Sequence, residues 1–181
     1  MLMADFKQAA DIALRNEDYN LSGVVTPDPT RADPKAIARF GINSAAHPKA
    51  VADGFFEMSH DAALQYAEDI IKYDYFAPLN GYNIREQSIA NKLTDLAVNC
   101  GTDRAARVAQ IAVNSVLKAG QNAVTVDGKI GPKTTDAINA SDGAVLLEAI
   151  KAQGRRYYAL VVEANTEDAK FENGWLARVN R

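Results

Sequence analysis

The chain has 181 residues, of which 48% are hydrophobic and 24% are charged, and its formal net charge at pH 7 is −3. This balance is typical of a globular protein, so it excludes a disordered chain and leaves enough apolar surface for a sizeable core. No apolar run approaches the roughly 20 residues that span a bilayer. The negative charge argues against bulk electrostatic binding to nucleic acid or to an anionic membrane. We therefore expect no nucleic-acid partner and no stable membrane insertion.

Apolar residues recur at helical spacing along most of the chain. The pattern predicts helices over residues 6–14, 61–73, 84–98 and 103–117. After a break at residues 118–122 it predicts a short helix, a long helix and a final helix, which begin at Gly131-Pro132, at a cap formed by Ser141, and at Phe171. Because strand-like alternation is scarce, we predict a mainly α fold.

A long polar stretch from Ser22 to Arg39 follows the first helix. The pairs Asp28-Pro29 and Asp33-Pro34 indicate turns, because the residue before a proline is driven out of the helical region. Loops of this length in compact domains are usually functional or disordered. We therefore expect an irregular polar loop beside the end of the first helix.

Cysteine and histidine are scarce, which limits the chemistry that the chain can perform. Cys100 is the only cysteine, so no intramolecular disulfide can form, and this fits synthesis in a reducing compartment. The two histidines, His47 and His60, cannot by themselves build a histidine-rich metal site. The first seven residues lack the basic and apolar regions of a cleavable signal peptide.

Three segments in the second half of the chain carry a family resemblance. Residues 126–134, Val-Asp-Gly-Lys-Ile-Gly-Pro-Lys-Thr, are similar to the DGxxGPxT signature of peptidoglycan-binding-type modules, and residues 155–158 and 171–179 resemble the RxxYY and FxxGWxxR ending of that module. Residues 93–101, Leu-Thr-Asp-Leu-Ala-Val-Asn-Cys-Gly, resemble the FDxAVNxG helix of one family that carries this tail. That family is glycoside hydrolase family 108, the N-acetylmuramidases of phages and prophages.

The N-terminal part of the chain resembles the same family. The family's Glu-Gly-Gly-Tyr motif, Asp-Pro-rich loop and Tyr-Gly-Ile motif are matched by Glu17-Asp18-Tyr19, by the Asp-Pro pairs at 28–29 and 33–34, and by Phe40-Gly41-Ile42. Two departures stand out, since Asp18 replaces the glycine pair and Lys35-Ala36 replaces the glycines after the second Asp-Pro. Glycine permits a close backbone approach that Lys and Ala do not, so the family's loop path does not carry over directly.

This resemblance implies a fold, an activity and a partner. It implies a lysozyme-like glycoside hydrolase domain over residues 1–117 and a small helical peptidoglycan-binding-type module over residues 118–181. It implies cleavage of the β-1,4 bond between N-acetylmuramic acid and N-acetylglucosamine in peptidoglycan glycan strands, with carboxylates and water but no metal or organic cofactor. It further implies a monomer that is made in the host cytoplasm and reaches the wall in the periplasm through a holin-type pore, as in phage endolysins.

Glu17 is the candidate general acid. An acid that protonates a glycosidic oxygen near neutral pH must have a raised pKa, so it belongs at a partly dry cleft wall. Glu17 fits this requirement because it ends an amphipathic helix beside the aromatic Tyr19 and precedes the polar loop. A solvated carboxylate at a helix end is the alternative interpretation, and the resemblance favours the catalytic one.

A second carboxylate could activate water or stabilise the oxocarbenium-like centre. Asp28 and Asp33 are the candidates, because both lie in the polar loop after Glu17. Counting back from Phe40-Gly41-Ile42 places Asp33 on the family's Asp-Pro position, so we predict Asp33 as the second catalytic group and Asp28 as a substrate-binding residue. An ordinary turn role for an aspartate before proline is the alternative.

Asp95 and Asn99 are further candidates for substrate binding, with Tyr19. Asp95 and Asn99 lie one helical turn apart, so both could reach one cleft from the same helix face. Asn99 could bind an N-acetyl group or a sugar hydroxyl, or it could be a buried polar side chain that ties the helix end to a loop. Three aromatic residues could stack on sugars but are more typical of core: Tyr73, Tyr75 and Phe76.

Two other functions stay open at this point. A non-catalytic wall-binding or secretion-accessory protein on the same fold is the main alternative, and the shortened glycine pair at Asp18 favours it. An amidase or endopeptidase is less favoured, because such enzymes usually need a zinc site or a Cys–His pair. Cys100 could act as a nucleophile only if a histidine approached it, and sequence places neither His47 nor His60 there.

Overall fold

A computed structural model of the chain describes residues 3–30, 32–120 and 122–181. Met1 and Leu2 of the N-terminal segment, Arg31 of the polar stretch and Gln121 of the predicted break lie outside the described residues. The helices and strands are α1 (Phe6–Glu17), β1 (Thr26–Pro27), β2 (Ile37–Arg39), β3 (Ile42–Asn43), α2 (Pro48–Ala52), α3 (His60–Ile70), α4 (Gln87–Cys100), α5 (Thr102–Ser115), α6 (Pro132–Ala140), α7 (Gly143–Ala164) and α8 (Ala169–Asn180). A π-helix (Ile71–Phe76) continues α3, and short 3-10 helices occupy Phe55–Glu57, Gly81–Asn83 and Thr166–Asp168.

The mainly α fold is confirmed, and the helix ends follow local capping. The Asp5 side chain caps α1 by accepting a hydrogen bond from the Lys7 backbone N–H at 2.7 Å, and α1 ends at Glu17. The prediction that Ser141 caps α7 is wrong. Asp142 is the cap and accepts the Ala144 and Val145 amides, whereas the Ser141 hydroxyl donates backwards to a carbonyl at the end of α6.

The polar stretch is more ordered than we expected, because it contributes to a small antiparallel sheet of order β1-β2-β3. Thr26 pairs with Ala38, and Arg39 pairs with Ile42. The two residues between β2 and β3, Phe40 and Gly41, have φ values of 51° and 77°. Positive φ at both central residues of a two-residue hairpin loop is the pattern of a type I′ turn, which matches the twist of the paired strands.

Helix α4 lies at the centre of the fold. Eight of its residues are buried, namely Ile89, Ala90, Lys92, Leu93, Thr94, Asp95, Leu96 and Ala97. A helix that is buried all round has neighbours on every side, and α4 contacts α1, α5, α7 and the π-helix. Two charged side chains, Lys92 and Asp95, are therefore carried into the interior.

Two hydrophobic clusters stabilise the fold. The larger one gathers residues of α4, α5, α7 and α8 with the start of α1, and it joins residues on both sides of position 118, such as Leu93 and Leu146. The smaller one packs the other face of α1 against the β2–β3 hairpin, α2 and α3. The division into domains 1–117 and 118–181 stays a prediction.

Helix α8 packs closely against the rest of the molecule. Gly154 in the middle of α7 allows this approach, because a Cβ placed there would lie 3.2 Å from Val179 and 3.6 Å from Leu96. Trp175 of α8 stacks on Tyr158 of α7 with ring centroids 5.1 Å apart. The last turn of α8 is thereby held against α4.

A group of charges is buried between α4 and α8. Asp95 is 1% exposed, and its Oδ1 accepts hydrogen bonds from Arg178 Nε at 2.7 Å and from Asn16 Nδ2 at 2.8 Å. Its Oδ2 lies 3.5 Å from Lys92 Nζ, which also donates to the Arg178 carbonyl at 2.9 Å. That carbonyl is in the final turn of α8 and has no partner within the helix. We call Asp95, Lys92, Arg178 and Asn16 the buried charge cluster.

Removing the acid of this cluster is expected to destabilise the fold. Asp95→Ala leaves Lys92 and Arg178 without their buried counter-ion, which costs about 3–5 kcal/mol of unfolding free energy when a buried pair is broken. Asp11→Ala is the matched control, because Asp11 forms an exposed pair with Arg15 one turn away, and such pairs contribute about 1 kcal/mol or less. Urea denaturation measures both, and equal losses would contradict the expectation.

Candidate functional site

Glu17, the last residue of α1, borders two adjoining cavities, which we call together the Glu17 groove. The first has a volume of about 430 Å³ and is lined by Glu17, Asp18, Tyr19, Ser22, Val24, Thr26, Pro27, Asp28, Ala38, Phe40 and Gly41. The second has a volume of about 270 Å³ and is lined by Glu17, Gly41, Ile42, Asn43, Ala46, His47, Tyr75, Val98, Asn99 and Arg178. Glu17 and Gly41 line both cavities, so they mark the place where the two meet.

The hairpin turn fixes one side of the Glu17 side chain. Gly41 lies so close that a Cβ on it would overlap Cβ and Cγ of Glu17. Its φ of 77° is also strained for any residue with a side chain. The third residue of the Phe40-Gly41-Ile42 motif belongs to β3, so the hairpin register sets the position of the glycine.

The other side of Glu17 is held by the C-terminal helix. Arg178 Nη1 donates to Glu17 Oε1, while the same guanidinium binds Asp95 through Nε. The Glu17 side chain is 28% exposed and that of Arg178 is 13% exposed. Burial opposes the charged form of Arg178, but Asp95 and Glu17 outweigh it and raise its pKa, so the guanidinium stays charged. Glu17 Oε2 has no hydrogen-bond partner within the described part of the chain.

Asp28 lines the same cavity as Glu17 and is held by a residue of β3. Asn43 Nδ2 donates to Asp28 Oδ2 at 2.7 Å and to the Asp28 carbonyl at 2.9 Å. Asn43 is held in turn, because its Oδ1 accepts the backbone N–H of Ala45 at 2.8 Å. The Asp28 carboxylate is therefore positioned in the groove wall.

Asp33 lies differently. Its Oδ1 accepts the Lys35 backbone N–H at 2.9 Å, and its own backbone N–H donates to Thr30 Oγ1 at 2.8 Å. These are the contacts of a turn residue, and Asp33 is not among the described residues that line the Glu17 groove. Its assignment as the second catalytic group stays a prediction.

Asp18 and Tyr19 shape the first cavity. Asp18 Oδ2 accepts the Gly23 backbone N–H at 2.8 Å and the Ser22 hydroxyl at 3.0 Å. Burial would raise the pKa of Asp18, but these hydrogen bonds lower it overall. Tyr19 is 80% exposed in the cavity wall, so its ring is available to a ligand. The residue that replaces the family's glycine pair thus closes the turn with its side chain.

The structure separates the two candidates on α4. Asn99 lines the second cavity beside Glu17, and its side chain has no hydrogen-bond partner among residues 3–30, 32–120 and 122–181. Asp95, one turn earlier, lies beneath the groove in the buried charge cluster, where Arg178 connects it to Glu17. The Asn99 side chain is thus available to a ligand, whereas Asp95 acts on the site through the Arg178 side chain that it binds.

Sequence reasoning missed Arg178, His47 and Tyr75 as site residues. The sequence favours a core position for Tyr75, yet its hydroxyl lies 3.1 Å from His47 Nε2 in the wall of the second cavity. Burial, with Asp74 and Glu17 nearby, raises the pKa of Tyr75, whereas burial lowers the pKa of His47 despite Asp74. The FxxGWxxR match was the one signal that pointed to Arg178.

Two other kinds of site receive no support. Burial raises the pKa of Cys100 to about 11, so its thiol is protonated at neutral pH, and the hydrogen bond that it makes is with Tyr158. No group of three or more His, Cys, Asp or Glu side chains that could hold a metal ion occurs among the described residues. None of the helices in the described ranges combines the length and apolar character that a bilayer crossing requires.

A larger cavity lies away from Glu17, at the N-terminal end of α6. Its volume is about 890 Å³ and its lining includes Asp127, Lys129, Lys133 and Asp136. Gln110, fully buried on α5, holds the adjoining loop by donating to Asp127 Oδ1 at 2.7 Å and accepting the Gly128 backbone N–H at 2.9 Å. The DGxxGPxT match therefore forms one wall of this cavity.

The C-terminal part of the chain matches a known family. Residues 104–180 match a family model described as "Predicted Peptidoglycan domain", and this segment includes Arg178. The fold is similar to that of a solved structure described as "Structure of Brucella abortus SagA", with a TM-score of 0.66 and 20% sequence identity over 97% of this chain and 90% of that chain. No curated protein matches the chain by sequence. The peptidoglycan-module resemblance of the tail is thus confirmed, and membership of glycoside hydrolase family 108 stays a prediction.

Gly41→Ala is expected to destabilise the fold more than the same change at Gly54. Both glycines have positive φ values, 77° and 72°, but only Gly41 faces an overlapping side chain, since the nearest atom to a Cβ at Gly54 is 4.0 Å away. The backbone strain alone costs about 1–2 kcal/mol, and overpacking against Glu17 adds about 1–3 kcal/mol. Thermal and urea denaturation of the two variants measure the difference, and equal stabilities would show that Glu17 moves aside freely.

Proposed function

We propose that this protein is a peptidoglycan hydrolase that cleaves the glycan strand between N-acetylmuramic acid and N-acetylglucosamine, with Glu17 as the general acid. The observation that carries the proposal is the Glu17 groove, in which a glutamate with one free carboxyl oxygen lies where two cavities meet. The family match of residues 104–180 supports peptidoglycan as the partner. The resemblance of the motifs around Glu17 to those of glycoside hydrolase family 108 supports this glycosidic bond as the one that is cleaved.

The chemistry needs one proton donor and one group that handles water. Glu17 Oε2 would give its proton to the glycosidic oxygen as the bond from that oxygen to the anomeric carbon breaks. A water oxygen would then bond to the anomeric carbon, and its proton would pass to Asp28. Asp28 is supported in this part by its place in the same cavity and by the fixed orientation that Asn43 gives it.

Other groove residues would bind the sugar. Asn99 would bind an N-acetyl group or a hydroxyl with its unpartnered amide, and Tyr19 would stack its exposed ring on a sugar face. The phenol of Tyr75 would donate a hydrogen bond in the second cavity, because its raised pKa keeps the proton on the oxygen. No metal or organic cofactor enters this scheme.

The site of action belongs to the same proposal. The protein would be a monomer synthesised in the host cytoplasm, and it would act on the wall in the periplasm after release through a holin-type pore. Lysis of the cell would follow from the loss of glycan strands, as in phage endolysins.

Glu17→Gln is expected to abolish hydrolysis while leaving binding intact. The amide keeps the size of the side chain but cannot donate the proton, and general acid catalysis contributes about 10²- to 10⁴-fold to such reactions. The measurement is the release of new reducing sugar ends from purified sacculi, with sedimentation on sacculi as the binding readout. A Glu17→Gln variant that releases reducing ends as fast as the wild type would overturn the proposal.

The two aspartates of the loop can be ranked in the same assay. Asp28→Asn removes the carboxylate that lines the groove, so we expect a loss of activity of about 10²-fold or more. Asp33→Asn keeps the turn acceptor and lies away from the groove, so we expect activity close to that of the wild type. The opposite ranking would return the second catalytic role to Asp33.

A non-catalytic wall-binding protein is the second candidate function. The cavity of about 890 Å³ within the matched segment favours it, because that cavity could hold a ligand independently of Glu17. Wild-type protein that sediments with sacculi but releases neither reducing ends nor stem-peptide amines would support this function. New amino groups without reducing ends would indicate an amidase or endopeptidase instead.

A further inference from the structure

We propose that Arg178, contributed by α8, is a positioning residue for Glu17, so that residues of α1 and α8 together form the candidate site. The inference rests on the proposed function for its catalytic part. Arg178 and Glu17 are 161 positions apart in sequence, and the side chain of Arg178 is largely buried where it meets Glu17.

The position of Arg178 is set by contacts other than that with Glu17. Its Nε binds Asp95 at 2.7 Å, and its carbonyl accepts a hydrogen bond from Lys92 at 2.9 Å. The neighbouring Val179 is 1% exposed and packs at the glycine of α7, Gly154. The guanidinium is therefore fixed by these contacts independently of Glu17, and its Nη1 donates to Glu17 at the groove.

The two oxygens of the Glu17 carboxyl group have different surroundings in this geometry. Oε1 is held by Arg178, and Gly41 packs against Cβ and Cγ of Glu17, so the remaining oxygen has a defined direction. A fixed donor is what proton transfer requires, since a displacement of about 1 Å can cost about 10²-fold in rate. Arg178 thus orients the proton that would be transferred.

The charge of Arg178 has a second effect. As Glu17 gives up its proton, negative charge develops on the carboxyl group, and a neighbouring guanidinium stabilises that charge. Loss of the charge should therefore lower the rate.

Other titratable side chains lie around Glu17. From the π-helix Tyr75 is held neutral by its raised pKa, and from the start of α2 His47 has a lowered pKa. Asp18, which follows Glu17 in sequence, has a lowered pKa, and Asp28 also lines the first cavity. The one cationic side chain that pairs with Glu17 among the described residues is Arg178.

Arg178→Gln and Arg178→Lys test this proposal in full-length protein. For Arg178→Gln we expect kcat on sacculi to fall about 10- to 100-fold with little change in KM, because orientation rather than binding is lost. Arg178→Lys keeps the charge but cannot bind Asp95 and Glu17 together, so its kcat should lie between those of Arg178→Gln and the wild type.

Arg155→Gln is the matched control. It also removes one arginine that contacts α8, since Arg155 Nη1 binds Asn180 Oδ1 at 2.7 Å, but it touches neither Glu17 nor Asp95. Its kcat and KM should be those of the wild type. If Arg178→Gln does not fold because Asp95 is left unpaired, the double variant Asp95→Asn with Arg178→Gln removes both charges and keeps the test.

A folded Arg178→Gln variant with the kcat of the wild type would overturn the proposal. A wild-type protein without hydrolytic activity would instead overturn the proposed function, and the NMR chemical shift of the Glu17 carboxyl carbon would then test the pairing. A chemical shift that changes in Arg178→Gln but not in Arg155→Gln supports the contact between Arg178 and Glu17, and an unchanged chemical shift rejects it.

Discussion

A carboxylate that cannot reach water constrains how this chain folds. Asp95 is carried into the interior because α4 has neighbours on every side, and an unpaired buried charge costs several kcal/mol. Lys92 on the same helix lies 3.5 Å from one oxygen of this carboxylate, and Arg178 of α8 binds the other oxygen. Docking of the last helix therefore places a counter-ion beside Asp95 and also brings a guanidinium to Glu17. Stability and site geometry depend on the same contact.

The sequence was informative about helices and much less so about the sheet. Helical periodicity extends over many residues, so α4 and α5 could be predicted from their apolar spacing. The strands are two or three residues long, which is too short for alternation to be recognised, and Phe40 takes a positive φ that bulky residues rarely adopt. The ordering of the polar stretch depends on pairing with a hairpin that local pattern does not reveal.

The candidate site shows the same division between local and distant information. The motif match led to the prediction of Glu17, and the one-turn spacing predicted that Asp95 and Asn99 share one face of α4. Spacing along a helix does not show how deeply a residue is buried, however, so it could not predict that Asn99 lines the groove while Asp95 is buried beneath it. Nor could it connect Arg178 to Glu17, because an ion pair across 161 positions leaves no periodic signal.

The position of α8 also determines how the proposed binding and the proposed hydrolysis can be tested separately. The segment that matches the peptidoglycan family holds the larger cavity near the start of α6 and Arg178 near its end. Helix α7, with 22 residues or about 33 Å, lies between the two in sequence and packs against α4 and α5. Deleting this segment would remove the partner of Glu17 and leave the charge of Asp95 without Arg178. A truncated protein would thus lose the structure around both cavities, so only point substitutions at each cavity can test the proposed binding and the proposed hydrolysis separately.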